Sequence, residues 1–198
     1  MNILKYLKEN ISNFSDEFIV PNIDLDKNKI KIIMIGEAPP ENENDYLYNG
    51  KNSFNFETFS TAFSNAGIDL KNVEDLLKMG IYYTTTIKIP KEGYIVKTKT
   101  IKDHLNILKE ELNLFDNLKS IMLMGDVAIK ALNYIAKEEV GEKIIPNIST
   151  YKIRNNEYFF KNIKVYPSYS ITGKNFLIEK SKRIMISEDI KKCLNSSL

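Results

Sequence analysis

Apolar positions along the chain switch repeatedly between a helical period and short unbroken runs. Leu4, Leu7 and Ile11 recur at helical spacing, and Pro21 closes that region. The β-branched run Lys29-Ile-Lys-Ile-Ile-Met-Ile35 predicts a buried strand that stops at Gly36. Residues 37–53 form a long polar stretch with Pro39, Pro40 and Gly50. A loop longer than about 12–15 residues in a compact domain is usually functional or disordered. Ser53 can cap a helix whose Phe56, Phe59, Phe63 and Ala66 share one face, with Gly67 as its stop. Asn72 opens a shorter helix ending at Gly80, and Ile81-Tyr-Tyr-Thr-Thr-Thr-Ile87 reads as a second strand.

The clearest helix carries Ile101, Leu105, Leu108, Leu112 and Phe115 on one stripe. Ser120–Met124 is a third buried strand, and Gly125 turns it into a helix bearing Ala128, Ala131, Leu132 and Ile135. Short strands with turns at Asn155-Asn156 and Lys161-Asn162 follow, the last strand ending at Val165. A final helix has Ile186, Ile190 and Cys193 on one stripe. Strands alternating with helices predict an α/β fold, a three-layer α/β/α sandwich around a central, mainly parallel sheet. At 198 residues, one domain over 1–198 is expected, with 1–28 as an N-terminal helical extension and 177–198 as a C-terminal helix.

Composition narrows the chemistry. A formal charge of +2 excludes a histone-like tail or polybasic arm but leaves room for a local basic groove. The single Cys193 excludes internal disulfides, CxxC redox sites and four-cysteine metal sites, and the single His104 excludes an HExxH zinc site. No metal and no cofactor are therefore expected. His104, near the edge of its buried stripe and without ligand partners, reads as structural. The N-terminal segment lacks the apolar core and small-residue cleavage site of a signal peptide. No apolar run approaches the roughly 20 residues needed to span a bilayer. A cytoplasmic location and no membrane partner are expected.

In open parallel sheets, ligands sit beyond the carboxyl ends of the strands. That rule directs attention to the residues after Ile35, Ile87, Met124 and Val165. Gly36-Glu-Ala-Pro-Pro40 puts the Glu37 carboxylate at one strand end, with Gly36 permitting close backbone approach. Tyr166-Pro-Ser-Tyr-Ser-Ile-Thr-Gly173-Lys-Asn offers hydroxyls, a Gly and a Lys ahead of a helix, either a phosphate site or merely a capped loop. Gly125 lacks the partner glycines of a dinucleotide fingerprint, and no GxxxxGK[ST] occurs. Lys88, Lys91, Lys97, Lys99 and Lys102 form a basic stretch that suits either a nucleic-acid groove or a solvated loop.

In this order the segments resemble the uracil-DNA glycosylase superfamily over residues 29–176. Gly36-Glu37-Ala38-Pro39 looks like the GEAPG motif of its iron–sulfur branch. Leu123-Met-Gly-Asp-Val-Ala-Ile-Lys-Ala-Leu132 is similar to its LGxxAxxAL turn, and Tyr166-Pro-Ser168 stands in place of its HPS motif. The resemblance implies a uracil-DNA glycosylase-like fold and a DNA-repair hydrolase that excises a deaminated or damaged base. In it Glu37 and Tyr166 would be catalytic, and Gly36, Ala38 and Thr85 would surround the base. Tyr48 or Phe54 would be the platform on which the base stacks. Ser168 and Lys174 would contact the DNA backbone, and Ile171 would be the wedge filling the gap left by a flipped base.

The departures are specific. Pro40 replaces a Gly, Ile89 stands where that branch has a cluster cysteine, Thr85 replaces the base-reading Asn, and Tyr166 replaces a His. Thr offers one hydrogen bond where an Asn amide offers two. A monomer binding DNA, duplex or single-stranded, is expected. Two alternatives stay open: a repurposed, inactive glycosylase-fold module that binds DNA or a nucleotide, and a small-molecule hydrolase or transferase acting on nucleosides.

Overall fold

A computed structural model describes residues 1–198, apart from the side chains of Lys174 and Asn175. The elements in chain order are α1 (Ile3–Asn10), β1 (Ile32–Gly36), α2 (Phe54–Asn65), α3 (Val73–Lys78), β2 (Ile81–Thr85), α4 (Thr98–Asp103) and α5 (Leu105–Asn113). They continue with β3 (Ser120–Met124), α6 (Asp126–Glu139), α7 (Thr150–Ile153), β4 (Tyr158–Phe160), β5 (Ile163–Ser168), α8 (Lys174–Ile178) and α9 (Lys180–Ser197). The strands form one sheet in the order β2-β1-β3-β5-β4, parallel except for the β4–β5 hairpin at one edge.

Helices cover both faces, so the central strands are apolar throughout rather than alternating with polar residues. Ile33, Ile35, Ile121, Leu123 and Val165 face one apolar cluster, filled by Leu105, Leu108 and Leu112 of α5 and by Ala131, Leu132 and Ile135 of α6. Ile32, Met34, Met122, Met124 and Tyr166 face the other, filled by Phe56, Phe59 and Phe63 of α2 and by Ile186, Ile190 and Cys193 of α9. Burial pushes the Cys193 thiol up to about 12, which leaves it no nucleophilic role at neutral pH.

Caps behave as their residues dictate. The Ser53 side chain accepts from the Phe56 amide, and Asn72 and Asp75 form a reciprocal capping box at the start of α3. The expected continuous helix over 101–115 instead divides at His104, which ends α4 and begins α5. The His104 ring is buried with Nδ1 on the Thr100 carbonyl at 2.8 Å, and burial holds its pKa below the usual histidine value. The N-terminal extension contains α1 and the start of a 3-10 turn at Lys27–Lys29, and Ile3 and Leu7 are fully buried in the core. Asn2 bridges Asp24, so this segment packs back on itself.

The expected end of the last strand at Val165 is too early. β5 runs on through Tyr166-Pro-Ser168 beside β3. Pro167 is tolerated because β4 pairs only as far as Val165, leaving one side of β5 free of a ladder partner.

Gly36 is required by packing rather than by its backbone angles. A Cβ there would lie 2.5 Å from the Tyr83 hydroxyl oxygen, and Tyr83 is buried edge-on against Phe59. Gly36→Ala should cost about 1–3 kcal/mol of stability by overpacking. In a Tyr83→Phe background the loss should shrink, because the nearest atom is gone and that hydroxyl has no partner among the described residues. Urea unfolding of the four proteins checks this; an equal loss in both backgrounds would contradict it.

Candidate functional site

The carboxyl end of β1 is clamped to the chain leaving β2. The Gly36 carbonyl accepts from the Thr86 amide and the Thr86 hydroxyl, both at 2.9 Å, and the Glu37 carbonyl accepts from the Ile87 amide at 3.1 Å. Glu37 thus enters the rim with its main chain fixed while its side chain stays 25% exposed. Lys91 donates to its Oε1 at 3.3 Å.

Two hollows of about 540 and 620 Å3 meet at this pair, sharing Glu37, Lys91 and the Ser170–Gly173 loop that follows β5. Each lies in the range of roughly 300–1,000 Å3 typical of small-molecule sites. The first is floored by Ala38, Pro39 and Pro40 and walled by Phe54 and Asn55 from the first turn of α2. The second opens toward Tyr94, Tyr169 and Lys182, whose ammonium sits 5.5 Å over the Tyr169 ring and pairs with Glu179 at 2.7 Å.

The structure therefore brings together Glu37, Ala38 and Phe54 from the sequence-level candidates. Gly36 stands directly behind them at the end of β1. Other candidates are occupied elsewhere. The Tyr48 hydroxyl donates to the Tyr83 carbonyl at 2.8 Å and accepts from the Tyr83 amide at 3.0 Å, closing the open side of edge strand β2. The Thr85 hydroxyl donates to the Ile87 carbonyl at 2.8 Å. The Tyr166 hydroxyl bonds Ser196 of α9 and lines a separate hollow with Arg154, Lys164 and Lys192. Its register with Met122 places it in the body of the sheet, below the rim where Glu37 stands.

The expected backbone contact at Ser168 and the expected wedge at Ile171 both lie inside the fold. Ser168 is fully buried and donates to Asp189 at 2.7 Å, where Arg154 also pairs with Asp189 at 2.8 Å. Burial raises the Asp189 pKa despite these partners. Ile171 is fully buried among the apolar residues of α2 and α9, so it presents no wedge at the surface. Ser168 is the last residue of β5, where Asp189 of α9 accepts from its hydroxyl, and the loop beyond it packs Ile171 inward. The Lys174 side chain lies outside the described residues.

The basic stretch also divides. Lys88 is fully buried and pairs with Glu111 at 2.5 Å, Lys99 pairs with Asp103 at 2.6 Å, and Lys102 sits over Tyr134. Of the five lysines, Lys91 alone lines the cleft. Sequence reasoning missed Asn55. Its signal was a polar residue at the head of the Phe56-Phe59-Phe63 stripe, where an apolar one would pack. Among the described residues no group of three or more His, Cys, Asp or Glu is arranged to hold a metal ion. Among the described residues no helix is long and apolar enough to cross a membrane.

No family model matches the sequence, and no curated protein matches it significantly.

Proposed function

We propose that the cleft receives a nucleobase with its sugar and that Glu37 promotes hydrolysis of the N-glycosidic bond, in the manner of the uracil-DNA glycosylases the sequence resembles. One observation carries this reading: Glu37 and Phe54 line a single hollow at the carboxyl edge of the parallel sheet. Cleavage leaves positive charge on the sugar and negative charge on the departing base. A carboxylate held beside the anomeric carbon stabilises the first and orients the attacking water. The Phe54 ring supplies a face on which a base extruded from its stack can rest. Lys91 gives an entering phosphate a cation at the mouth, and the phosphate gives Lys91 an alternative to Glu37.

DNA is the proposed substrate, and a single strand is the better form of it. Extruding a base from a duplex costs a few kcal/mol, which a wedge normally helps to offset. The apolar side chain at 171 is packed inside. Oligonucleotides carrying uracil or hypoxanthine, single-stranded or paired, are incubated with the protein and the abasic sites cleaved with alkali. Release should be faster from single strands. No release from any of them, together with no salt-sensitive binding, would overturn the proposal. Binding without release would favour the second reading, a recognition module; the Glu37–Lys91 contact, which already occupies the carboxylate, is the observation on its side.

A further inference from the structure

Among the described residues that line the first hollow, Asn55 is the one buried polar side chain. It is 5% exposed, two residues past the Ser53 cap, and it lines the hollow beside Phe54. Its backbone carbonyl is used by the Thr58 hydroxyl at 3.0 Å. Its side-chain amide makes no hydrogen bond with any described group. The amide atoms are not among the fully sealed polar atoms that lack a partner, so they keep an outlet rather than standing as an unsatisfied pair. Here the open direction is the hollow itself. Helix capping does not explain the residue either, since Ser53 already serves the Phe56 amide.

We infer that Asn55 reads the base: its Oδ1 accepts from a ring N–H while its Nδ2 donates to the neighbouring ring carbonyl. This rests on the reading of the cleft as a nucleobase site and adds a residue and a specificity to it. An amide carries an acceptor and a donor side by side, which matches the lactam edge that deamination creates in uracil and hypoxanthine. Thr85, on the strand where the resemblance expects the reading residue, has its hydroxyl proton committed to Ile87. Asn55 stands next to the aromatic platform in sequence, so stacking and edge recognition come from consecutive residues of α2. The apolar side chains at Phe56 and Phe59 anchor that turn in the core, which holds the amide at a fixed height in the hollow.

The test is a titration followed by amide NMR, with free uridine and inosine as probes and N3-methyluridine and 1-methylinosine as their counterparts lacking the ring N–H. The wild-type protein should bind the unmethylated nucleosides roughly tenfold or more tightly than the methylated ones, the scale of a lost two-point contact. In Asn55→Leu that preference should vanish, with Phe54 resonances still shifted by both kinds of ligand. Asn55→Ala, which adds no bulk, repeats the measurement if the leucine variant does not fold. A preference that survives in either variant would overturn the assignment to Asn55 while leaving the cleft a nucleobase site. No binding of any nucleoside by the wild type would overturn both.

Discussion

Replacing Glu111 with Ala should destabilise the protein by about 3–5 kcal/mol, the scale at which a buried ion pair loses one partner. Glu111 on α5 is 1% exposed and accepts from the Tyr82 hydroxyl, the Thr84 hydroxyl and Lys88 at 2.7, 2.7 and 2.5 Å. Lys88 is fully buried, and its remaining contacts are Thr84 Oγ1 and the Thr85 carbonyl, both at 2.7 Å. Burial already holds the Lys88 pKa below the usual lysine value; without the carboxylate the ammonium would face the interior uncompensated. The double variant Lys88→Met/Glu111→Leu removes both charges and should recover most of the loss. Urea unfolding measures all three proteins. A double variant as unstable as Glu111→Ala would mean that lost hydroxyl partners, not the stranded charge, dominate. The pair also bears on the site: it fixes the end of β2, and the next residues hold the main chain of Gly36 and Glu37.

Glu37→Gln should lower base release by on the order of 100-fold or more, the usual scale for losing a preorganised charge at a reacting centre. The substitution keeps the shape and one acceptor but removes the negative charge that steadies the cationic sugar. It also releases Lys91 from its 3.3 Å contact, so nucleic-acid binding should persist or strengthen. A loss of release with binding retained is the signature of a catalytic group. Equal losses of both would instead mark Glu37 as a binding group.

The strand–glycine boundaries were legible in the sequence because buried β-branched runs and glycine stops are local signals. Gly36 and Gly125 each stand where a strand run ends, Gly80 stands where α3 gives way to β2, and Glu37 follows from the first of them. The caps at Ser53 and Asn72 were equally local. What local pattern missed was decided by distant partners. Lys88 looks like one more loop lysine until Glu111, 23 residues later on another helix, is brought against it. Tyr166 and Ser168 look like rim residues until β3 draws three more residues into β5, after which Ser196 and Asp189 of α9 claim their hydroxyls. Pro167 does not stop β5, because its missing N–H falls where the neighbouring hairpin has already ended. The break at His104 had no counterpart in the apolar stripe, which continues in register across it.

The most direct test of Glu37 and its cleft is single-turnover release of uracil and hypoxanthine from single-stranded oligonucleotides, with bound fraction measured on the same samples. Wild type and Glu37→Gln should bind to similar extents, and only the wild type should leave alkali-labile sites at a measurable rate. Equal release by the two proteins, or no release by the wild type under conditions where the strand is fully bound, would contradict a catalytic role for Glu37.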